Sequence, residues 1–63
     1  MKTTIKSLTI REIRALLFDT DQYTLIDNEQ MSNKESRDFL YNKDDQDKKM
    51  NVLDNTTHLL IWL

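Results

Sequence analysis

The segment Leu8-Thr9-Ile10-Arg11-Glu12-Ile13-Arg14-Ala15-Leu16-Leu17-Phe18 constrains the fold more than any other stretch of this chain. Thr9 precedes Glu12 by three residues, the spacing at which a hydroxyl and a carboxylate each accept from the other's backbone amide. Leu8 before this box and Ile13 after it are placed as a hydrophobic staple, which fixes the angle at which the chain enters a helix. Ile10, Ile13, Leu16 and Leu17 then fall within an arc of about 120° in helical projection, the width of a core-facing stripe. These signals predict a helix over about residues 10–19 that must lay one face on an apolar partner.

That partner has to come from a short chain. With 63 residues there is room for one domain, residues 1–63, and a domain of this size buries only about 60% of its unfolded surface. No Cys is present, so disulfides and thiolate metal ligands are excluded, which fits a reducing compartment. Support must come from close packing or from self-association. The hydrophobic fraction of 38% is low for a globular domain, which brings self-association or a bound partner into the reckoning from the start.

The flanks of the helix read as strands. Thr3 to Leu8 is rich in β-branched residues and runs straight into the cap. Tyr23-Thr24-Leu25-Ile26 is a second short β-favouring run before Asp27-Asn28-Glu29. The two strands either form a right-handed parallel crossover around the helix or lie in one sheet with others between them. Ser32-Asn33-Lys34-Glu35 repeats the capping-box spacing, so residues 33–41 read as a second helix, with a strand over Arg37–Tyr41 as the alternative. Asn42 to Lys49 is polar and charged, with nothing to bury, and reads as a mobile loop. Met50–Leu53, Asp54–Thr57 and His58–Leu63 read as strand, turn and strand. Asp and Asn supply the unusual dihedrals of the turn in a chain with no Gly. The expected class is α+β, in the order strand, helix, strand, helix, hairpin around one sheet.

The closing run, His58 to Leu63, has no alternation of apolar with polar residues. Both of its faces should therefore be covered, which marks an interior or interface strand. Leu59, Ile61 and Leu63 point one way and Leu60 and Trp62 the other, so Leu60 and Trp62 are the interface candidates. With no Pro and no Lys inside it, this run would be an aggregation hazard on an open edge.

Charge separates along the sequence although the net is only −2. Residues 1–18 carry Lys2, Lys6, Arg11 and Arg14 against Glu12. Residues 19–38 carry six acids against Lys34 and Arg37. Arg11, Arg14 and Phe18 share a helix face away from the apolar stripe, and these are residue types enriched in binding hot spots. Asp19 and Asp21, at the helix end where the macrodipole disfavours acids, are solvated or offer an acidic contact. Arg11, Arg14, Phe18, Asp19 and Asp21 are thus the candidate partner-binding residues.

Catalytic constellations are not visible in the sequence. The single His58 sits at a strand start with no activated serine in its surroundings, so no catalytic residues are assigned. Asp19-Thr20-Asp21 and Asp44-Asp45-Gln46-Asp47 fail the calcium-loop pattern: counted from Asp19, position six is Thr24 and position twelve is Gln30, and counted from Asp45, Lys49 occupies a ligand position. Glycine-rich phosphate loops cannot form without Gly, so neither metal nor cofactor is expected. No apolar run nears the ~20 residues that span a bilayer, and Met1–Lys6 lacks a signal-peptide core. The expectation is a soluble cytoplasmic protein.

The short strand leading into Leu8-Thr9-Ile10-Arg11-Glu12-Ile13, followed by Tyr23-Thr24-Leu25-Ile26 and a hydrophobic closing hairpin, resembles small phage-encoded accessory proteins. These include anti-CRISPR and anti-restriction inhibitors of host defence. The resemblance implies a non-enzymatic protein-binding module acting in the host cytoplasm, with a host protein as partner and a homodimer as a further option. Many such inhibitors mimic nucleic acid with strongly acidic surfaces; a net charge of −2 departs from that and favours direct protein contact. The alternative is a small regulator that binds nucleic acid through its basic amino-terminal third.

Overall fold

A computed structural model describes residues 4–63 and shows two helices and a five-stranded mixed sheet, an α+β domain. Strand β1 (Thr4–Thr9) leads into α1 (Ile10–Leu16), then come β2 (Tyr23–Ile26), β3 (Glu29–Met31), α2 (Asn33–Tyr41), β4 (Lys49–Asp54) and β5 (His58–Trp62). Thr3, expected in the first strand, lies outside the described residues. The strands stand in the order β1-β4-β5-β2-β3. Only β2 and β5 are parallel; the other neighbours are antiparallel. The first two strands thus share a sheet without touching, because β4 and β5 enter between them. The closing strand takes the central position that its unbroken apolar run requires.

Thr9 caps α1 as its spacing implies. Its Oγ1 accepts from the Glu12 amide at 3.1 Å and its own amide donates to Glu12 Oε1 at 2.9 Å. Hydrogen bonding to the Glu12 carboxyl by the Thr9 amide, and secondly by the Thr9 hydroxyl, holds it below its ordinary pKa. The helix is shorter than the 10–19 read from the sequence: it ends at Leu16, Leu17 is its C-cap, and the chain turns away through Phe18 and Asp19. Leu17 stays on the buried stripe of Ile10 and Ile13 and Phe18 is exposed, whereas another helical turn would carry Asp19 and Asp21 along the helix. α2 is a helix and not a strand, capped by Ser32 Oγ on the Glu35 amide at 3.1 Å and burying Ser36 and Leu40, four residues apart.

One strand went unread in the sequence. Asp27 and Asn28 both adopt positive φ, 50° and 70°, which is the requirement of a two-residue type I′ hairpin turn. This lets β3 fold back on β2. Asp27 Oδ1 also accepts from the Leu63 amide at 3.1 Å.

The loop after α2 is anchored at several points along the backbone. The Lys48 and Gln46 carbonyls accept from the Ile10 and Arg11 amides at 3.1 and 2.9 Å, so the loop satisfies donors that every helix start leaves open. The Gln46 side chain in turn donates to the Leu40 and Lys43 carbonyls. The free linker that composition suggests is therefore tied to both helices.

Both helices lie on one face of the sheet. Ile10, Ile13 and Leu17 of α1 and its cap and Leu40 of α2 meet Ile26, Met50, Val52, Leu59 and Ile61 in a single buried cluster. Ser36 is fully buried and its hydroxyl has no hydrogen-bond partner. At the sheet's end, the Gln22 amide donates to Asp54 Oδ1 at 2.6 Å and Lys6 Nζ lies 3.0 Å from Asp54 Oδ2. The Gln22 and Lys6 hydrogen bonds hold the Asp54 carboxyl below its ordinary pKa. No helix among the described residues is long and apolar enough to cross a membrane.

Candidate functional site

The outer surface of the helix pair carries an alternating set of cations and rings. Because Ile10, Ile13 and Leu17 turn toward the sheet, Arg14 and Phe18 are left on the side of α1 and its terminal turn that faces α2 and solvent. On α2, Ser36 and Leu40 point inward, which places Arg37 and Tyr41 beside α1. The two segments run in opposite directions. Arg14 Cζ therefore sits 4.8 Å from the Tyr41 ring centroid, and Arg37 Cζ sits 4.3 Å from that of Phe18. The result is a checkerboard of two guanidinium groups and two aromatic rings. Lys43 continues the theme over Phe39, at 4.6 Å.

The rings in this set are displayed to solvent, with Phe18 72% and Tyr41 66% exposed. Their cations are held from behind. Arg37 Nη1 donates to the Leu17 carbonyl at 3.2 Å, meeting an acceptor at the C-terminus of α1 where a positive charge is also favoured. Arg14 Nη1 donates to the side-chain oxygen of Gln46. Each cation–ring contact at such a site is worth about 0.5–1 kcal/mol. That is little for folding, but it limits the rotamers of four side chains before any partner arrives.

The candidates from the sequence fall into place unevenly. Arg14 and Phe18 come together in the checkerboard. Arg11, one turn earlier, is directed to the loop, with its Nε 3.3 Å from Asp47 Oδ1 in a pair so exposed that it contributes little. Asp19 and Asp21 are exposed in the turn and linker after α1, and neither forms an ion pair with another described residue. Asp19 directly follows Phe18 and borders the set. Arg37 and Tyr41 were missed. The signal available for them was a repeated spacing, Arg14-x3-Phe18 and Arg37-x3-Tyr41, which gives each helix one cation and one ring a turn apart.

Leu60 and Trp62 lie on the opposite side of the molecule, on the sheet face that no described element covers. Leu60 is half-buried by its strand neighbours and Trp62 is 42% exposed. His58 shares that face, its Nδ1 2.7 Å from the Thr57 hydroxyl and its ring 5.7 Å from that of Tyr23. Among the described residues no three His, Cys, Asp or Glu side chains converge in a way that could hold a metal ion. A cavity of about 180 Å³ between the start of α1 and the loop after α2, lined in part by Ile10, Lys43, Lys48 and Met50, is smaller than the usual ligand pocket. No protein-family model, no curated protein and no solved structure matches this chain. Its surfaces therefore carry the functional reading.

Proposed function

We propose that this chain is a non-enzymatic protein-binding module that engages a partner protein through Arg14, Phe18, Arg37 and Tyr41. The observation that carries this reading is the pair of solvent-displayed rings, each backed by a guanidinium group that is itself hydrogen-bonded to the scaffold. Aromatic and arginine side chains dominate binding energy where they can be desolvated. Restraining them in advance lowers the entropy lost on association. Asp19 and Asp21 add an acidic margin that would favour a partner with basic residues beside an apolar recess. The style of the sequence, short and cysteine-free, further suggests a host protein as that partner, in the manner of phage or mobile-element inhibitors of host defence acting in the cytoplasm.

The alternative of a nucleic-acid-binding regulator is weakened by how the amino-terminal cations are used. Lys6 pairs with Asp54, Arg11 with Asp47, and Arg14 is turned onto Tyr41 and Gln46. Two of these three cations already face a carboxylate of this chain and the third is turned onto a ring, which leaves a weak stripe for duplex phosphates.

The test is affinity capture from host lysate with the wild-type chain beside a Phe18→Ala/Tyr41→Ala variant whose circular dichroism and melting are measured in parallel. A protein held by the wild type and released at least about tenfold more readily by the variant, with folding intact, is the expected result. Equal capture by both would overturn the role of the checkerboard. Tight, steeply salt-dependent binding to duplex DNA would replace the reading with the regulator.

A further inference from the structure

The sheet face opposite the helices is ordered in a way the helix-face reading does not use. The strand registers align Ile5 with Leu53, Leu53 with Leu60, Leu60 with Leu25, and Leu25 with Gln30. One row thus crosses all five strands, and four of its five positions are aliphatic. Trp62 and His58 flank Leu60 along β5, and Tyr23 lies opposite His58. Ile5 is 74% exposed and Tyr23 59%, while Leu25, Leu53 and Leu60 are only half-buried.

The distribution of charge on this face is informative. Charged residues make up 32% of the chain. Yet Ile5, Ser7, Tyr23, Leu25, Gln30, Asn51, Leu53, Leu60 and Trp62, which alternation directs to this face, carry none, and its titratable groups are His58, the Tyr23 phenol and Lys49. The one formally charged strand position on this side, Lys49, lies at the rim opposite Thr9, near enough to Glu12 to act on its carboxyl. A large exposed apolar patch rimmed by polar residues marks an interaction surface. A charge-free patch selects against nucleic acid and against strongly charged protein surfaces, whose ions would be desolvated without a counter-charge.

The patch fits its own copy. β5 is the third of five strands, so the row extends two strands to either side of Leu60, through Leu53 to Ile5 on one side and through Leu25 to Gln30 on the other. A two-fold axis lying between two such sheets and passing beside Leu60 stacks the row on itself, whether the axis runs along the strands or across them. No like charges are brought together, which is the condition for an isologous contact. Strands about 4.8 Å apart and about five residues long give a footprint of roughly 400 Å² in projection, or about 600 Å² per copy with side-chain relief. Two copies therefore bury about 1,200 Å², the lower limit of specific interfaces.

We infer that this chain forms a two-fold homodimer by stacking the open sheet faces, with Leu60 at the centre and Ile5, Leu25, Leu53 and Trp62 around it. The sheets pack about 10 Å apart with aliphatic side chains interdigitated. The helices face outward on both sides, so the dimer displays two copies of the arginine–aromatic checkerboard. The inference stands on the sheet face alone and is independent of what the helix face binds.

The test is sedimentation of the full-length chain from low to several hundred micromolar, with the emission of Trp62, the single Trp, followed over the same range. A monomer–dimer equilibrium with a micromolar midpoint is expected, with emission moving to the blue as dimer forms. Ile5→Lys replaces a side chain already in water, so folding is retained while the dimer weakens about tenfold or more. Leu60→Lys, verified as folded by circular dichroism, should abolish the dimer. Phe18→Ala should leave it unchanged. A monomer at all concentrations with fixed Trp62 emission would overturn the inference. So would a dimer indifferent to both Ile5→Lys and Leu60→Lys, or one lost with Phe18→Ala, or assembly that continues beyond two copies.

Discussion

The two faces of the sheet are built from the same strands and meet opposite fates. On one, Thr24, Ile26, Met50, Val52, Leu59 and Ile61 are all buried beneath α1 and α2. On the other, their immediate sequence neighbours Leu25, Leu53, Leu60 and Trp62 are left half-buried or exposed. Strand alternation supplies two apolar surfaces, but two short helices can cover only one. Residue hydrophobicity is nearly equal on the two sides, so what distinguishes them is coverage. A covered side chain stabilises the fold of one chain, whereas an uncovered one is available to an interaction.

That difference can be broken most sharply inside β5 itself. Leu59→Ala removes a fully buried side chain from the helix-covered face and should cost about 2–5 kcal/mol, leaving a cavity between β5 and the helices. Leu60→Ala, one residue on and of identical chemistry, should cost well under half as much when measured at concentrations where the protein is monomeric. Denaturant melts of the two variants, with the slope of the transition compared, provide the check. Equal losses would mean that the open face is already covered in the monomer.

The covered side also holds a defect. Ser36 is packed against the sheet with a hydroxyl that nothing accepts from or donates to. An unmet buried hydroxyl costs about 1–3 kcal/mol, and Ala is the better helix former at the same volume class. Ser36→Ala should therefore stabilise the fold by about 1 kcal/mol, read as a higher denaturant midpoint at unchanged slope. A loss of stability would show that the hydroxyl is satisfied in solution and that the two faces differ less in polar accounting than the structure indicates.

Much of this fold was legible because local chemistry and global packing agree. Thr9 and Glu12 announce α1 through their spacing, and the unbroken apolar run from His58 declares a central strand before any partner strand is known. The pairing of Met50–Leu53 with the closing strand followed from the Asp54–Thr57 turn. The parts that stayed hidden depend on distant residues. β3 exists because Asp27 and Asn28 accept positive φ without a Gly, a weak signal until β2 is known to need a partner. α1 ends early, with Leu17 as its C-cap, where the polar run Asp19–Gln22 offers the next turn no apolar side chain to bury. The 43–48 loop is held by amides of α1, which its own composition could not reveal. The candidate site was half visible for the same reason: Arg14 and Phe18 are local neighbours on α1, while Arg37 and Tyr41 reach them only once α2 lies alongside.

The smallest expected effect concerns acid, and it separates the helix start from the far end of the sheet. Glu12 and Asp54 both have carboxyls held below their ordinary pKa, Glu12 first by the Thr9 amide and hydroxyl and Asp54 first by Gln22 and then Lys6. A carboxylate with a lowered pKa in the folded state binds fewer protons than in the unfolded chain. Its contribution is therefore complete above the ordinary carboxylate range and is lost as pH falls through that range toward the folded-state value. Stability should be level around neutrality and decline on acidification. Glu12→Gln should flatten part of that decline by removing one of the two linked protons, and Asp54→Asn the other part. The Thr9→Ala variant should cost about 1 kcal/mol at neutral pH, and it should also reduce the Glu12 share of the acid dependence, since the hydroxyl that helps lower that pKa is gone while the amide at position 9 remains. Melts of the four proteins across the acid range separate the contributions. If Thr9→Ala leaves both the neutral stability and the acid slope unchanged, α1 does not begin at Thr9, and the placement of Arg14 and Phe18 on the outer face loses its anchor.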